Sequence, residues 1–542
     1  MPSLAKFRFC LLRLAGLALA LALTLPHPLR AQPTPPSEKT LRISQRNEPT
    51  DLDPARASLP DDFFIIRALS EGLVIPNPTN GAPLPAAAES WETSPDGLTW
   101  TFHLRANSAW SNGDPVTAAD FVESLHRVLT PATAAPKVEL LYAIRNARAF
   151  AVGKLADFSS VGLRAPDSRT LVVTLEHPTP DFLRYAASGP WIPVNPRVVS
   201  TLGRAWTRPG NFVGNGPFTL LSWEPGQRIV VRRNRLYHGA ASVRLDTIQF
   251  IRLDDSDTEE RTYRTGGIDL TMSVPFSKLD TYARDFPDQY HQAPLAETRY
   301  LAFNTRRPPL NDPRVRRALS LAVDRGKIVA FVVKGGRRAA YSVIPPGFAG
   351  GSDSAAPPIP ASHDAAVFFA RRLLAEAGFP AGAGFPHLEL SGWTNTPVLE
   401  AIQAMWKRDL GIDVDVATRE AAVHVAALRS GAYDIGFITL IPDVADPFSL
   451  LDHFVTGGPE NYPAWSDATY DALVAAGEAS ADSARRTEAV RRAERLIAER
   501  CPLAPLYFNA QNWLMRTSVH GWRQDGLWTR YYTDLWVSDA PR

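Results

Sequence analysis

The stretch DIGFITLIPDVADPFSLLDHF, residues 434–454, contains a β-strand pattern that leads directly into the start of a helix. Its apolar first half is typical of a buried strand, and Asp446-Pro447 is typical of a helical first turn. A strand followed by a helix indicates an α/β lobe, in which ligands bind at the carboxyl ends of the strands. Asp443 stands at that end, where its carboxylate could receive an ammonium group. These local features favour that role and a turn-stabilising role for Asp443 equally.

The residues around this strand supply the other candidate contacts with a ligand. Asp446 precedes a proline at the start of a helix, so we interpret it as a helix cap. The remaining candidates lie at the end of the strand or beside predicted loops, and they are Leu440, Ile441, Trp393, Asn395 and Trp465.

Away from this stretch, strand and helix patterns alternate without a constant period, which predicts a mixed α/β fold rather than a repeat architecture. A strand begins at Leu41, and the turn sequence SPDG at 94–97 predicts a hairpin. Thr117 and Asp120 have the spacing of a capping box, and Pro313 opens a helix predicted over 311–325. Further helices are predicted over 468–479 and 483–500, and a strand over 503–508.

Composition excludes several classes of protein. The 542 residues carry a net charge of +2, so there is no basic surplus for binding nucleic acid. A chain of this length predicts about three or four compact units. The two cysteines, Cys10 and Cys501, are too few for a disulfide framework, a zinc cluster or an iron–sulfur site. We therefore predict no metal and no cofactor, and a buried Cys501.

The first 31 residues have the three parts of a secretory signal peptide. Basic residues Lys6, Arg8 and Arg13 precede an apolar run at 14–25, and Ala31 is a candidate cleavage point. Residues 32–40 are Pro-rich and polar, which predicts a flexible spacer. Later stretches are too short and too polar to span a membrane. The sequence predicts an exported protein that is periplasmic or otherwise outside the cytoplasmic membrane.

Local catalytic signatures are absent from the sequence. The chain contains no nucleophile elbow, no phosphate-binding loop, no His-Glu-x-x-His pair and no dinucleotide fingerprint. This favours a protein without catalytic residues, although an exported hydrolase with carboxylates dispersed along the chain is a remaining alternative.

A series of ordered segments runs through nearly the whole chain after the leader. They include EPTDLDP at 48–54, SEGL at 70–73, WSNGDPVTAADF at 110–121, FNT at 303–305, NDPRVRRALSLAVDR at 311–325 and DVADP at 443–447. Together these segments resemble the oligopeptide- and dipeptide-binding proteins of bacterial ABC transporters, the family 5 extracellular solute-binding proteins.

The resemblance implies an α/β, two-lobed periplasmic-binding-protein fold with an additional inserted domain and a hinged ligand cleft. It places lobe I discontinuously at 41–75, 193–298 and 511–542, the inserted lobe at 76–192 and lobe III at 299–510. Boundaries 298/299 and 510/511 are then the two hinge crossings.

The resemblance also implies a monomer that captures a small peptide and delivers it to a membrane ABC permease. In peptide-binding members of the family, the Asp that matches Asp443 pairs with the α-amino group, and backbone groups hold the peptide as an added strand. This chain has Phe437 and Leu440 where an Arg and an aromatic residue are expected, and Ala421 where a Trp often stands. The same fold also binds metal chelates, haem, murein peptides or oligosaccharides, so a non-peptide solute is an alternative.

Overall fold

The computed structural model describes residues 38–348, 362–394 and 396–539. The described residues from Thr40 onward form one compact unit. The predicted signal peptide and most of the predicted spacer lie outside the described residues, and β1 begins at Thr40.

The strands of the described residues occur in chain order as follows. They are β1 (Thr40–Gln45), β2 (Val74–Pro76), β3 (Pro83–Pro85), β4 (Ala88–Thr93), β5 (Thr99–Leu104), β6 (Leu163–Arg164), β7 (Thr170–Thr174), β8 (Phe218–Glu224), β9 (Arg228–Arg233), β10 (Thr247–Arg252), β11 (Tyr290–Phe303), β12 (Arg338–Ala339), β13 (Leu388–Gly392), β14 (Val414–Thr418), β15 (Ile435–Leu440), β16 (Leu503–Leu514), β17 (Val519–His520), β18 (Arg523–Gln524), β19 (Arg530–Tyr531) and β20 (Trp536–Val537).

The α-helices lie between these strands and cover the faces of the sheets. They are α1 (Pro60–Leu69), α2 (Ala118–Leu129), α3 (Ala147–Ala151), α4 (Phe182–Ala186), α5 (Pro196–Leu202), α6 (Ser256–Arg264), α7 (Leu279–Asp285), α8 (Pro313–Leu321), α9 (Arg325–Lys327), α10 (His363–Glu376), α11 (Thr396–Leu410), α12 (Ala421–Ser430), α13 (Phe448–Leu451), α14 (Ala468–Glu478) and α15 (Ser483–Arg500). None of the helices in the described part of the chain combines the length and the apolar character that a membrane span requires.

Three larger sheets organise the fold. Sheet A has the order β1-β10-β9-β8, and sheet B has the order β4-β5-β7-β6. Sheet C has the order β12-β16-β11-β15-β13-β14, in which β15, β13 and β14 run parallel to one another. Helices α11 and α12 connect these parallel strands, and buried apolar side chains cover both faces of sheet C.

Two long strands connect sheet C with the region of sheet A. Strand β11 pairs with β16 from Tyr290↔Leu514 to Ala302↔Leu503, with a register shift between Pro294 and Thr298. Next to the end of β16, Met515 bridges to Leu270, which itself bridges to Ile43 of sheet A. The predicted lobe boundaries 298/299 and 510/511 fall inside these two strands, and the division into lobes stays a prediction.

Most of the predicted elements are confirmed. Strands β4 and β5 form the predicted hairpin, and Asp312 caps the helix that begins at Pro313. That helix ends at Leu321, earlier than predicted, because the Asp324 side chain accepts the Lys327 N–H and starts a new short helix. Cys501 is buried as predicted, and burial raises the pKa of its thiol.

The capping box at the start of α2 joins the helix to a buried indole. Thr117 Oγ1 accepts the Asp120 N–H at 3.3 Å, and Asp120 Oδ2 accepts the Thr117 N–H at 2.8 Å. The same carboxylate oxygen accepts Trp110 Nε1–H at 3.2 Å.

Replacing Asp120 by alanine is therefore expected to lower the free energy of unfolding by about 1–2 kcal/mol, measured by urea unfolding. Glu123→Ala, one turn further on and exposed, is the matched control; an equal loss in both variants would contradict the capping role.

Candidate ligand-binding site

A cavity of about 850 Å³ lies between sheet C and the region of sheets A and B. Its lining comes from five parts of the chain, which are residues 58–83, 137–190, 293–296, 439–462 and 524–529, with Pro346, Gly347 and Phe348 at one side. The lining combines apolar and aromatic side chains with several charged ones, and a cavity of this size is typical of a small-molecule site.

The segment after β15 forms one wall of this cavity. Strand β15 ends at Leu440, and Ile441, Asp443 and Val444 line the cavity beyond it. The Asp443 backbone N–H donates to Ser449 Oγ at 3.0 Å, which fixes the segment against α13. Asp443 therefore lies beyond the carboxyl end of a parallel strand, where ligands bind in α/β sheets.

The Asp443 carboxylate has a partner from the opposite wall. Lys137 Nζ donates to Asp443 Oδ2 at 3.1 Å and lies 3.1 Å from Oδ1 as well. Lys137 precedes the 3₁₀ turn Val138–Leu141, whose two leucines are buried in the core beside sheet B. The position predicted to receive a ligand's ammonium group thus holds the ammonium group of the chain's own lysine.

A second ion pair lies on the same wall as Asp443. His453 Nδ1 is 2.8 Å from Glu460 Oε2, and both residues line the cavity. The hydrogen bond from His453 lowers the pKa of Glu460 to about 2, and Lys137 contributes to the lowering. Glu460 is therefore ionised throughout the physiological pH range.

Thr439 and Trp528 also line the cavity. Thr439 Oγ1 is buried, and no described residue makes a hydrogen bond to it. Trp528 contributes its ring to the wall, while its Nε1–H donates to Glu297 Oε1 at 2.9 Å. The Thr439 hydroxyl oxygen is therefore closed off from the open space of the cavity.

Behind the wall, Asp446 joins a buried network rather than the cavity. Its Oδ1 accepts the Phe448 N–H at 3.1 Å, as predicted for a helix cap. Its Oδ2 accepts Arg486 Nη2–H at 2.9 Å, and the Tyr185 hydroxyl lies 3.4 Å away. Burial raises the pKa of Asp446, and the Arg486 charge offsets part of this effect.

Glu478 lies close to this network, and its ionisation destabilises the fold. Burial, with the nearby charges of Asp452 and Asp446, raises the pKa of Glu478 from 4.5 to about 8. Between these two pH values the folded state holds a proton that the unfolded state has lost, so the free energy of unfolding falls as pH rises.

Replacing Glu478 by glutamine is therefore expected to stabilise the protein at pH 8 by about 2 kcal/mol and to change little at pH 4.5. Urea unfolding at both pH values measures the difference. A gain of the same size at both pH values would contradict the raised pKa.

The structure brings together only some of the predicted contact residues. Asp443 and Ile441 line the cavity. Leu440 lies outside the cavity lining, because alternation along β15 turns its side chain to the opposite face, where it is buried in the core with Ile438. Asn395 lies outside the described residues.

The two predicted tryptophans also lie outside the cavity lining. Trp393 stacks on His424 with ring centroids 5.5 Å apart, and Arg299 lies over its ring. Trp465 is 7% exposed and packs against Tyr470. Both loops fold back onto the core of the sheet C region, so these aromatic rings contribute to packing.

Sequence reasoning missed Lys137, Glu460, His453 and Thr439, all of which line the cavity. No motif marks Lys137, and it is 306 residues away from Asp443 along the chain. The resemblance predicted an inserted lobe at 76–192 but did not place any of its residues opposite Asp443.

Comparison with known proteins agrees with this architecture. The profile of the family described as bacterial extracellular solute-binding proteins, family 5 Middle, matches residues 82–462. The probable deoxycholate-binding periplasmic protein YgiS of Escherichia coli is 34% identical over 89% of this chain and 90% of its own length. The periplasmic oligopeptide-binding protein OppA of Escherichia coli is 31% identical over 92% of this chain and 93% of its own.

Two solved structures of one relative are similar to this chain to different degrees. The structure of the Escherichia coli murein tripeptide binding protein MppA covers 92% of this chain and 99% of its own, with 30% identity and a TM-score of 0.84. The unliganded open form of MppA gives a TM-score of 0.73. The fold of this chain as a whole is therefore less similar to the unliganded open form. With a two-lobed α/β fold, a cleft between the lobes and a match over most of its length, this chain belongs to the bacterial extracellular solute-binding proteins of family 5.

Proposed function

We propose that this chain captures short peptides in the cavity between its walls and delivers them to a membrane ABC permease. The observation that carries the proposal is the position of Asp443, on the wall of an 850 Å³ cavity just beyond a parallel strand. The edge of the segment after β15 can hold an extended peptide through main-chain hydrogen bonds, which give affinity without reading side chains. The names of the OppA and MppA relatives support a peptide ligand.

The proposal includes export, a monomeric state and the absence of catalysis. The predicted signal peptide and the periplasmic relatives support a location outside the cytoplasmic membrane. A family of solute-binding proteins supports a role in binding rather than in turnover. Ligand capture then depends on hinge movement about β11 and β16, which connect the two sides of the cleft.

One observation favours a second candidate, a non-peptide solute. Asp443 already pairs with Lys137, and the relative YgiS is named as a probable deoxycholate-binding protein. An apolar molecule with an acidic group would fit a cavity that combines Phe63, Leu183 and Trp528 with the Lys137 ammonium.

Titration calorimetry with peptides of two to five residues, and separately with sodium deoxycholate, distinguishes these two functions. If the proposal is correct, one peptide binds per protein and the binding saturates. Protein that is already saturated with peptide should give no further heat of binding. Saturable binding of deoxycholate without any binding of peptides would contradict it.

A further inference from the structure

The contact between Lys137 and Asp443 crosses the cavity from one wall to the other. Lys137 belongs to the region of sheet B, and Asp443 follows β15 of sheet C. Their side chains are 19% and 25% exposed, so both are largely removed from bulk water but remain in contact with the cavity. Because the pair joins the two walls, it forms when the cleft is closed and separates when the walls move apart.

The pair neutralises the negative charge that would attract a ligand's amino group. Lys137 Nζ lies 3.1 Å from each of the two Asp443 carboxylate oxygens. An ammonium group has three N–H donors, so a lysine that faces both oxygens keeps a donor for another acceptor. A second ammonium group at Asp443 would meet a carboxylate whose charge is already neutralised, and it would either lie close to the Lys137 charge or displace it.

Displacement of Lys137 from Asp443 would cost free energy, because the surrounding negative charges stabilise its ammonium group. Burial lowers the pKa of Lys137, but Asp443 and Glu460 more than offset this effect and raise it above the usual value. Glu460 is itself paired with His453, so it is not available to replace Asp443 as the ion-pair partner of Lys137. A displaced Lys137 would thus remain a partly buried ammonium without an equivalent partner.

Most of the other acidic groups of the lining have basic partners. Asp525, at the far side of the cavity, instead accepts the Leu527 and Thr529 backbone N–H groups, and burial raises its pKa. Within the described lining, the close acid–base pairs are Lys137–Asp443, His453–Glu460 and Arg184–Asp181. The acidic groups on the Asp443 wall are therefore both paired with basic groups of the chain.

We propose that Lys137 occupies the ammonium position at Asp443 and makes this chain select peptides whose α-amino group is blocked or absent. The proposal rests on the proposed function, since it names the class of peptide. An acyl group at the ligand's end would place a carbonyl oxygen at the free donor of Lys137, and the Lys137–Asp443 pair would stay intact. A free amine would have to compete with Lys137 for the same carboxylate.

Calorimetry with trialanine and N-acetyl-trialanine tests this selectivity. The wild-type protein is expected to bind the acetylated peptide at least tenfold more tightly than the free one. Lys137→Met keeps the aliphatic stem but removes the charge, so it is expected to raise the affinity for trialanine at least tenfold and to reverse the preference. The double variant Lys137→Met/Asp443→Asn is expected to lose that gain, because the gain depends on the vacated carboxylate. Lys327→Met, which removes an exposed lysine paired with Asp324, is the matched control and is expected to behave like the wild type.

Tighter binding of trialanine than of its acetylated form by the wild type, with no gain in Lys137→Met, would overturn the inference.

A second readout does not depend on peptide binding. Small-angle X-ray scattering of the ligand-free proteins is expected to give a larger radius of gyration for Lys137→Met and for Asp443→Asn than for the wild type, with no further increase in the double variant. Identical radii for all four proteins would overturn the inference. A third outcome separates the two proposals. If no protein binds either peptide but the radii of gyration still change as expected, the proposed peptide function is wrong, and the ion pair across the cleft is supported.

Discussion

Replacing Arg486 by methionine is expected to lower the free energy of unfolding by about 3–5 kcal/mol, the range for removing one partner of a buried ion pair. Arg486 on α15 donates to Asp446, whose side chain is 3% exposed, and lies 3.5 Å from Asp181 Oδ2. Its Nη1–H also donates to the Gly477 carbonyl oxygen at 3.2 Å, and its guanidinium stacks on the Phe448 ring. Methionine would fill part of the volume, but it would leave the Asp446 carboxylate buried without a positive charge.

The loss should depend on pH, which separates it from a packing defect. Burial raises the pKa of Asp446, and removal of the Arg486 charge would raise that pKa further. Protonation relieves the unpaired charge, so the destabilisation should be smaller at pH 5 than at pH 8. Arg485→Met is the matched control, since Arg485 is the preceding residue, 82% exposed, and should change stability by less than about 0.5 kcal/mol. Urea unfolding at the two pH values measures both variants; an equal loss at pH 5 and pH 8 would contradict the charge-based account.

Replacing Val444 by serine is expected to weaken ligand binding by about 10- to 100-fold, or about 1.5–3 kcal/mol. Val444 is 2% exposed, and the apolar cluster in which it lies consists otherwise of residues between Ala55 and Trp191, beside sheet B. Val444 itself follows β15 of sheet C, so its side chain crosses the cleft and is buried only when the walls are together. Closure would therefore lose this apolar contact and would bury a hydroxyl in its place.

Calorimetry with the peptide that the wild type binds most tightly measures the loss of affinity, and small-angle X-ray scattering measures the loss of closure. The melting temperature should change little, because the contact is between walls rather than within one core. Val423→Ser is the control, since Val423 is 56% exposed on α12. If Val444→Ser bound the peptide with unchanged affinity, this would contradict the claim that the ligand is bound in the closed cleft.

The sequence predicted the residues of the cleft wall that follows β15 much better than those of the opposite wall, which carries Lys137. The apolar run before Asp443 and the Asp446-Pro447 start of a helix are local patterns, and both were confirmed as β15 and the cap of the following helix. The position of Asp443 beyond the strand follows from the same pattern, and Ile441 lines the cavity with it. Short-range periodicity was sufficient for these residues because the strand and the helix are adjacent in sequence.

The residues that the sequence could not predict meet through the tertiary fold. Lys137 has no pattern around it that distinguishes it from a solvated lysine, and its contact with Asp443 depends on how two distant regions close. Trp393 and Trp465 were selected because aromatic residues beside loops often contact ligands, but Trp393 packs half-buried against His424 and Trp465 packs buried against Tyr470, and both lie outside the cavity lining. Arg486 was not recognised as the partner of Asp446 for the same reason as Lys137, since 40 residues separate the two charges.

The most direct test of the central claim is native mass spectrometry of the purified protein without residues 1–31, followed by denaturation and identification of the released small molecules. The account predicts a ladder of masses that match short peptides, bound one per protein and enriched in species without a free α-amino group. A single discrete mass from a non-peptide compound would keep the family and the fold, and would contradict peptide capture as the function of this chain.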